Sequence, residues 1–300
     1  MSIVVGVDPG HRSASVLHLA AVLARSIGTG LVVVAVVPSS WPTTAGPADA
    51  EWQRYTRDNA NHALDHAAAV IDGSVPAEYV LHEAPSARRG LVEVVEQRDA
   101  TFVVVGSSTN GPVGRIALGS ESDTLLHASP VPVAIAPRGY RSAEGARVGR
   151  VTAAYRGTGS STELVLGAAE VAASMGAELR AASFAVVPRE SGTSGAGFDA
   201  EQSIAGTWTA DVRRQAQRVL SDVSALPDPP RIADTVIGVG DTWDASIGDV
   251  DWLPDELLVV GSSSLGPLAR VFLGSRAAKI VRSSPVPVVV VPRGAIADRG

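Results

Sequence analysis

Gly106-Ser107-Ser108-Thr109-Asn110-Gly111-Pro112, running on to Leu118-Gly119-Ser120, recurs later in the chain. The second copy is Gly261-Ser262-Ser263-Ser264-Leu265-Gly266-Pro267, running on to Leu273-Gly274-Ser275. Each copy follows an apolar run, Phe102-Val103-Val104-Val105 or Leu257-Leu258-Val259-Val260, that reads as a buried strand. Each leads through a short helical segment to a further strand, Ser129-Pro130-Val131-Pro132-Val133 or Ser284-Pro285-Val286-Pro287-Val288. The pairs Gly106/Gly261, Gly119/Gly274 and Pro130/Pro285 share one spacing of 155 residues, far too long for a solenoid repeat and suited to a duplicated domain. A small-residue loop between a parallel strand and a helix N-terminus can aim backbone N–H groups at an anion. Without a ligand, the same loop is a tight strand–helix connection.

Outward from that loop, Ile3 to Val7 reads as the first strand, ending at Asp8-Pro9-Gly10. Val16, Leu19, Ala20 and Leu23 recur at helical spacing, with Ser13 or Ser15 as the cap and Gly28-Thr29-Gly30 as the stop. Leu31 to Val37 is the second strand, and residues 38 to 50 are loop by composition. A helix from Glu51 to Ile71, a strand around Tyr79 to Leu81 and a helix from Ser86 to Gln97 precede the strand at 102–105. The loop, a short helix through Leu125-Leu126 and a strand from Val131 to Ala136 complete the unit. Alternating helices and nearly unbroken apolar strands predict parallel sheets covered on both faces. The expectation is an α/β fold of two tandem flavodoxin-like, doubly wound, five-stranded sheets of order 3-2-1-4-5, over residues 1–138 and 148–293. A crevice then opens between strands 1 and 4, beside Asp8 and the Gly106 loop. Pro130 and Pro132 lack N–H groups and place strand 5 at an edge. Residues 189 to 207, rich in Gly and Ser, read as partly disordered.

The 300 residues are 45% hydrophobic and carry a net charge of −6, with Lys279 the one lysine. No basic cluster suits nucleic acid, and the lack of cysteine excludes disulfides and thiol chemistry. The N-terminus enters a strand directly, and no apolar stretch approaches the roughly 20 residues of a membrane span. A cytoplasmic location is the expectation.

The order and spacing of these motifs resemble the universal stress protein family in tandem form, over essentially the whole chain. That family's nucleotide loop runs Gly, two residues, Gly, nine residues, then Gly-Ser or Gly-Thr, and Gly106 and Gly119-Ser120 stand at matching spacing. The resemblance implies a stress-response regulator binding ATP or another adenine nucleotide, with Mg2+ accompanying the phosphates. It places Asp8, Pro9 and Val37 at the nucleoside, and Gly106, Thr109, Gly111, Gly119, Ser120 and Ser122 around the phosphates. It also implies that strand 5 of each repeat pairs about a pseudo-two-fold axis, and leaves a homodimer and protein partners open. Catalysis beyond slow ATP hydrolysis is not expected. A nucleotide-free interaction scaffold is the alternative.

The departures from the family pattern matter. Its second glycine is Thr109 in one repeat and Ser264 in the other. If that position requires φ > 0, threonine there costs on the order of 1 kcal/mol or more, and the loop reshapes around Gly111-Pro112. Glu121 adds negative charge beside the loop, which Arg115, or Arg270 in the second copy, offsets if it faces the crevice. In the second repeat Arg156 stands at the position of Asp8 and Ala277 at that of Ser122, so one working site, in the N-terminal half, is expected. Asp8 reads equally as a ligand contact or as a local cap. His62 and His66 have an i,i+4 spacing that can hold zinc, but lack the glutamate of a zinc-protease motif. Trp52 and Trp208 are expected to pack their helices onto the sheet, and Arg88-Arg89 to form a solvated helix face.

Overall fold

Runs of Val, Ile and Leu four to six residues long are stiff at χ1 and favour extended backbone, and here they build a continuous sheet with helices on both sides. The computed structural model describes residues 2–10, 13–39, 47–71, 73–126, 128–187, 196–262 and 273–292. The first half contains β1 (Ser2–Val7), α1 (Ser15–Ile27), β2 (Gly30–Pro38), α2 (Pro47–Ile71) and β3 (Ala77–Ala84). It continues with α3 (Ala87–Gln97), β4 (Ala100–Gly106), α4 (Ser120–Leu126) and β5 (Val133–Ala136). The second half contains β6 (Arg150–Ala154), α5 (Gly159–Met175), β7 (Glu178–Val186), α6 (Ala196–Ser224) and β8 (Val236–Gly240). It ends with α7 (Trp243–Gly248), β9 (Glu256–Gly261), α8 (Ser275–Ser283) and β10 (Val288–Val291).

The sheet has ten strands in the order β3-β2-β1-β4-β5-β10-β9-β6-β7-β8. Each half is therefore parallel with the expected 3-2-1-4-5 order, and the halves meet where β5 and β10 pair antiparallel, Ile135 opposite Val288 and Val133 opposite Val290. Strand 5 is the edge of its own half but lies inside the joined sheet. The prolines permit this because the strand begins at Val133, beyond Pro132. Leu19 and Leu23 of α1, Leu64 of α2 and Leu220 of α6 bury into the core on one face. Leu91 of α3, Leu125 of α4, Ile247 of α7 and Ile280 of α8 bury on the other.

Local details correct several expectations. Helix α1 has Ala14 at its N-cap with no side-chain cap bond, and Ser13 Oγ only accepts from the Ser15 N–H at 3.4 Å. Gly28 and Gly176 end α1 and α5 in the left-handed region, at φ 77° and 65°, where a side chain would be strained. Residues 196–207 are helical rather than disordered, since α6 begins at Ala196; residues 189–195 lie outside the described set. Trp52 and Trp208 are 42% and 39% exposed, so neither is committed to the core. Their helices are held instead by small residues one to two turns further on, Ala60 and Ala67 in α2 and Ala216 in α6. Residues 137–149 join the halves by hydrogen bonding to α1. The Arg25 Nε donates to the Ala146 carbonyl at 2.9 Å, and the Val148 N–H to Ser26 Oγ at 2.8 Å. Among the described residues, no helix is long and apolar enough to cross a membrane.

Candidate functional site

The chain reverses direction across the sheet between β1 and β4, and crossovers to opposite faces leave a crevice at the strand C-terminal ends. A cavity of about 740 Å³ occupies it, within the roughly 300–1,000 Å³ typical of small-molecule sites. Val34, Val36 and Pro38 of β2 line it, with Ala84 at the end of β3 and Leu91 of α3. Gly6 admits Leu91: a Cβ there would lie 2.9 Å from the Leu91 Cδ1. Gly90 admits Val36 in the same way, with a built Cβ 2.8 Å from Val36 Cγ1. Two glycines thus let α3 press against the sheet and close one wall.

Asp8 leaves β1 at the centre of the cavity, exposed, with Pro9 beside it. Its Oδ1 accepts the Gly10 N–H at 2.8 Å, an Asx turn that holds the carboxylate at the crevice. Ligand contact and local capping, separate readings of Asp8 in the sequence, are both served by this one geometry.

The Gly106 loop forms the opposite wall, with Gly106, Ser108, Thr109, Gly119 and Ser122 lining the cavity. Much of its backbone is satisfied internally. The Ser107 N–H donates to the Ala136 carbonyl at 3.1 Å, and the Ser108 N–H to the Ala117 carbonyl at 2.8 Å. The Gly111 N–H donates to the Ser108 carbonyl at 3.3 Å, closing a turn with Thr109 and Asn110 at its centre. The Ala117 N–H reaches Ser107 Oγ at 2.8 Å, a role for Ser107 that spacing alone does not reveal. Among the described residues, the Thr109 and Gly119 N–H groups are not donated to any acceptor. Ser122 Oγ donates to the Gly106 carbonyl at 3.3 Å, bracing α4 against the strand end.

Thr109 carries no left-handed strain. Among the described residues Asp99 is the one non-glycine residue with positive φ, and in this loop the left-handed position has moved to Gly114, at φ 77°. Gly111 is required by packing, since a Cβ there would fall 2.4 Å from the Ala117 Cβ. The excursion from Gly111 to Arg115 is pinned to the linker. The Gly114 N–H donates to the Arg138 carbonyl at 2.8 Å, the Arg138 N–H to the Arg115 carbonyl at 3.0 Å, and the Arg138 guanidinium to the Gly111 carbonyl.

Three expected contacts change accordingly. Gly111 shapes the loop but does not line the cavity, and Arg115 does not line it either. Val37 is buried with the opposite core, so its neighbours Val36 and Pro38 present the strand end. The side chains of Ser120 and Glu121, and all of Ser264, Gly266, Pro267 and Arg270, lie outside the described residues. His62 and His66 do not form a metal centre: among the described residues no group of three metal-ligating side chains occurs. His66 instead lines the cavity, as does Arg88, which the sequence reads as a plain solvated face.

The second crevice is built from larger side chains. In register with the first half, Tyr155 replaces Val7, Leu164 replaces Val16, Phe184 replaces Val36 and Trp243 replaces Ala87. Tyr155 and Leu164 are buried in one core face, and Phe184 and Trp243 pack against the other. Arg156, at the position of Asp8, is exposed.

Comparison with known proteins agrees with this geometry. The sequence matches the universal stress protein family over residues 1–137 and again over 148–292. It is 36% identical, over 298 residues, to a universal stress protein of Mycobacterium tuberculosis, covering 97% of this chain and 100% of that one. Among solved structures it resembles a universal stress protein from Archaeoglobus fulgidus, with a TM-score of 0.64, 21% identity and 98% of each chain covered. A Pseudomonas aeruginosa protein named as a universal stress protein gives 0.57, at 14% identity, over 99% of this chain and 95% of that one.

Proposed function

The chain belongs to the universal stress protein family, with the domain present twice, and from that premise we propose that its N-terminal cavity binds an adenine nucleotide. The domains are taken as residues 1–138 and 148–293, in a cytoplasmic stress-response regulator. Asp8 and Pro9 meet the ribose and the backbone at Val37 meets the edge of the base. Gly106, Thr109, Gly119, Ser120 and Ser122 surround the phosphates. The base lies among Val34, Val36, Ala84 and Leu91, whose apolar surfaces suit a flat ring. Asp8 is the one carboxylate among the described lining residues, which is too few for a dedicated Mg2+ cage, so the ion enters bound to ATP phosphates.

The observation that carries this reading is the cavity itself, placed where the strand order reverses, with a carboxylate at its centre and a small-residue loop on one wall. Binding is the activity: no paired acid and base in the cavity supports chemistry, and occupancy acts by changing what the protein associates with. A second reading, a nucleotide-free scaffold, is favoured by the internal bonding of the Ser107, Ser108 and Gly111 amides. Thermal unfolding with and without AMP or ATP–Mg2+ separates the two, because a ligand of the native state must raise the unfolding temperature. An unchanged temperature at millimolar nucleotide leaves the scaffold reading standing.

A further inference from the structure

Two cationic side chains of the cavity have no role in that reading. Arg88, the second residue of α3, and His66, on α2, both line the wall away from the Gly106 loop. Among the described residues neither has a hydrogen-bond or ion-pair partner, whereas the adjacent Arg89 is bonded to Glu93 at 2.9 Å. Of the described lining residues only Asp8 carries the opposite charge. An unpaired guanidinium beside an apolar cavity is a ready donor for an anion.

The second half gives the contrast. Aligning the helix caps Ser86 and Thr242 puts Asp244 where Arg88 stands. Aligning α2 with α6 by their buried positions, Ala60 with Ala216 and Leu64 with Leu220, puts Asp222 where His66 stands. Both cations become carboxylates in the half whose crevice is filled with bulky side chains. Cationic character at these positions therefore goes with the open cavity.

The distance across the cavity sets the ligand. Helix α3 follows β3 and the loop follows β4, and the order β3-β2-β1-β4 separates them by three inter-strand spacings, roughly 14 Å. Asp8, after β1, lies between. A phosphate held at the loop cannot also reach Arg88, so a second anionic group is needed on the other side of the ribose.

We propose that Arg88 and His66 form a second anion subsite, and that the ligand is an adenine nucleotide phosphorylated on both sides of its ribose. This rests on the nucleotide reading above. The shared chemistry is a phosphate at the 3′ position, either free, as in a nucleoside 3′,5′-bisphosphate, or as the diester of a 3′–5′-linked dinucleotide.

Calorimetric titration of the full chain with AMP, adenosine 3′,5′-bisphosphate and 3′–5′-linked diadenylate tests it. The expected result is that one of the doubly phosphorylated ligands binds about tenfold or more tighter than AMP. That ratio falls to within about twofold in Arg88→Ala and drops further in Arg88→Asp, with a smaller loss in His66→Ala. Whichever ligand shows the larger ratio identifies the free phosphate or the diester as its source. Circular dichroism melts of the variants confirm that they fold, as expected for changes at an exposed position. If AMP binds as tightly as both larger ligands, or if the preference survives Arg88→Asp, the subsite is overturned and the nucleotide site stands. If none of the three binds, both readings fall.

Discussion

The floors of the two half-sheets use the same positions for opposite chemistry. In the first half Val4 and Val32 bury against each other's strands, and Thr101 only donates to the Ser2 carbonyl at 3.2 Å. In the second half these positions are Thr152, Arg180 and Glu256, and Ser2 is replaced by Arg150. Arg180 is 4% exposed and Glu256 2% exposed. Glu256 binds Arg180 at 2.5 Å and Arg150 at 2.7 Å, and also accepts the Thr152 hydroxyl and the Leu253 N–H. The Arg180 Nε donates to Thr152 Oγ1 at 3.0 Å, its Nη1 to the Asp251 carbonyl at 3.0 Å, and its plane lies 5.2 Å from the Trp252 ring. Burial alone pulls the Arg180 pKa below its usual value, with the nearby Glu256 carboxylate opposing that shift. A duplicated fold therefore tolerates either an apolar or an ionic floor, provided that each buried charge is fully partnered. The crevices above follow suit, open and cationic in one half, filled and anionic at the same positions in the other.

The largest effect that would break this comparison is expected from Glu256→Ala, which leaves Arg180 buried without its carboxylate. It should cost about 3–5 kcal/mol in chemical denaturation, and a value near zero would show that the ionic floor is ornamental. The close approach of helix to sheet differs between halves in the same way. Gly240→Ala places a Cβ 2.4 Å from the Ser246 backbone nitrogen, whereas Gly90→Ala meets only the Val36 methyl groups. The first should cost about 3 kcal/mol and the second about 1 kcal/mol, because a side chain yields and a helix backbone does not. Equal losses would mean that α7 moves as freely as a rotamer.

For ligand binding, Gly119→Val should abolish the nucleotide-dependent rise in unfolding temperature, since a side chain there crowds Ser108, 3.4 Å from the built Cβ, and narrows the cavity. Gly274→Val, its counterpart in the second half, should leave the rise intact. At ligand one hundred times Kd that rise corresponds to about 2.7 kcal/mol. The smallest expected effect concerns His18, half-buried on α1 against Ser142 at 3.3 Å. Burial, then the charges of Arg141 and Arg25, hold its pKa below 6.5 in the folded protein. The unfolded chain therefore takes up this proton first as pH falls. The contribution is complete above pH 6.5 and is lost as pH drops from there toward the folded value. His18→Gln should show a smaller fall in unfolding temperature between pH 7.5 and 5.5 than the native sequence does.

The fold was legible because it rests on short-range signals: unbroken Val runs, the glycine stops at Gly28 and Gly176, and the fixed spacing of the loops. Strand order follows from those signals and from the handedness of crossovers. The location of the cavity was legible for the same reason. What escaped is set by contacts between distant strands. Nothing local reveals that Arg138 fastens the Gly111 carbonyl, or that Thr109 adopts an ordinary φ because Gly114 takes the left-handed position. Arg88 looked like solvent-facing charge because its position over the end of β3 depends on Gly6 and Gly90 letting α3 close. Arg180 and Glu256 each interrupt an apolar strand, a visible anomaly whose explanation requires knowing that β6, between them, brings them together.

The antiparallel seam between β5 and β10 has a consequence for how the protein behaves on dilution. Because one polypeptide supplies both strands, and residues 137–149 are laid along α1, pairing is a first-order event at an effective concentration in roughly the millimolar range. The joined sheet thus persists at any expression level, with no subunit exchange to scramble its halves. The second crevice was then free to fill in, since its service as a mate for the first half never depended on holding a ligand.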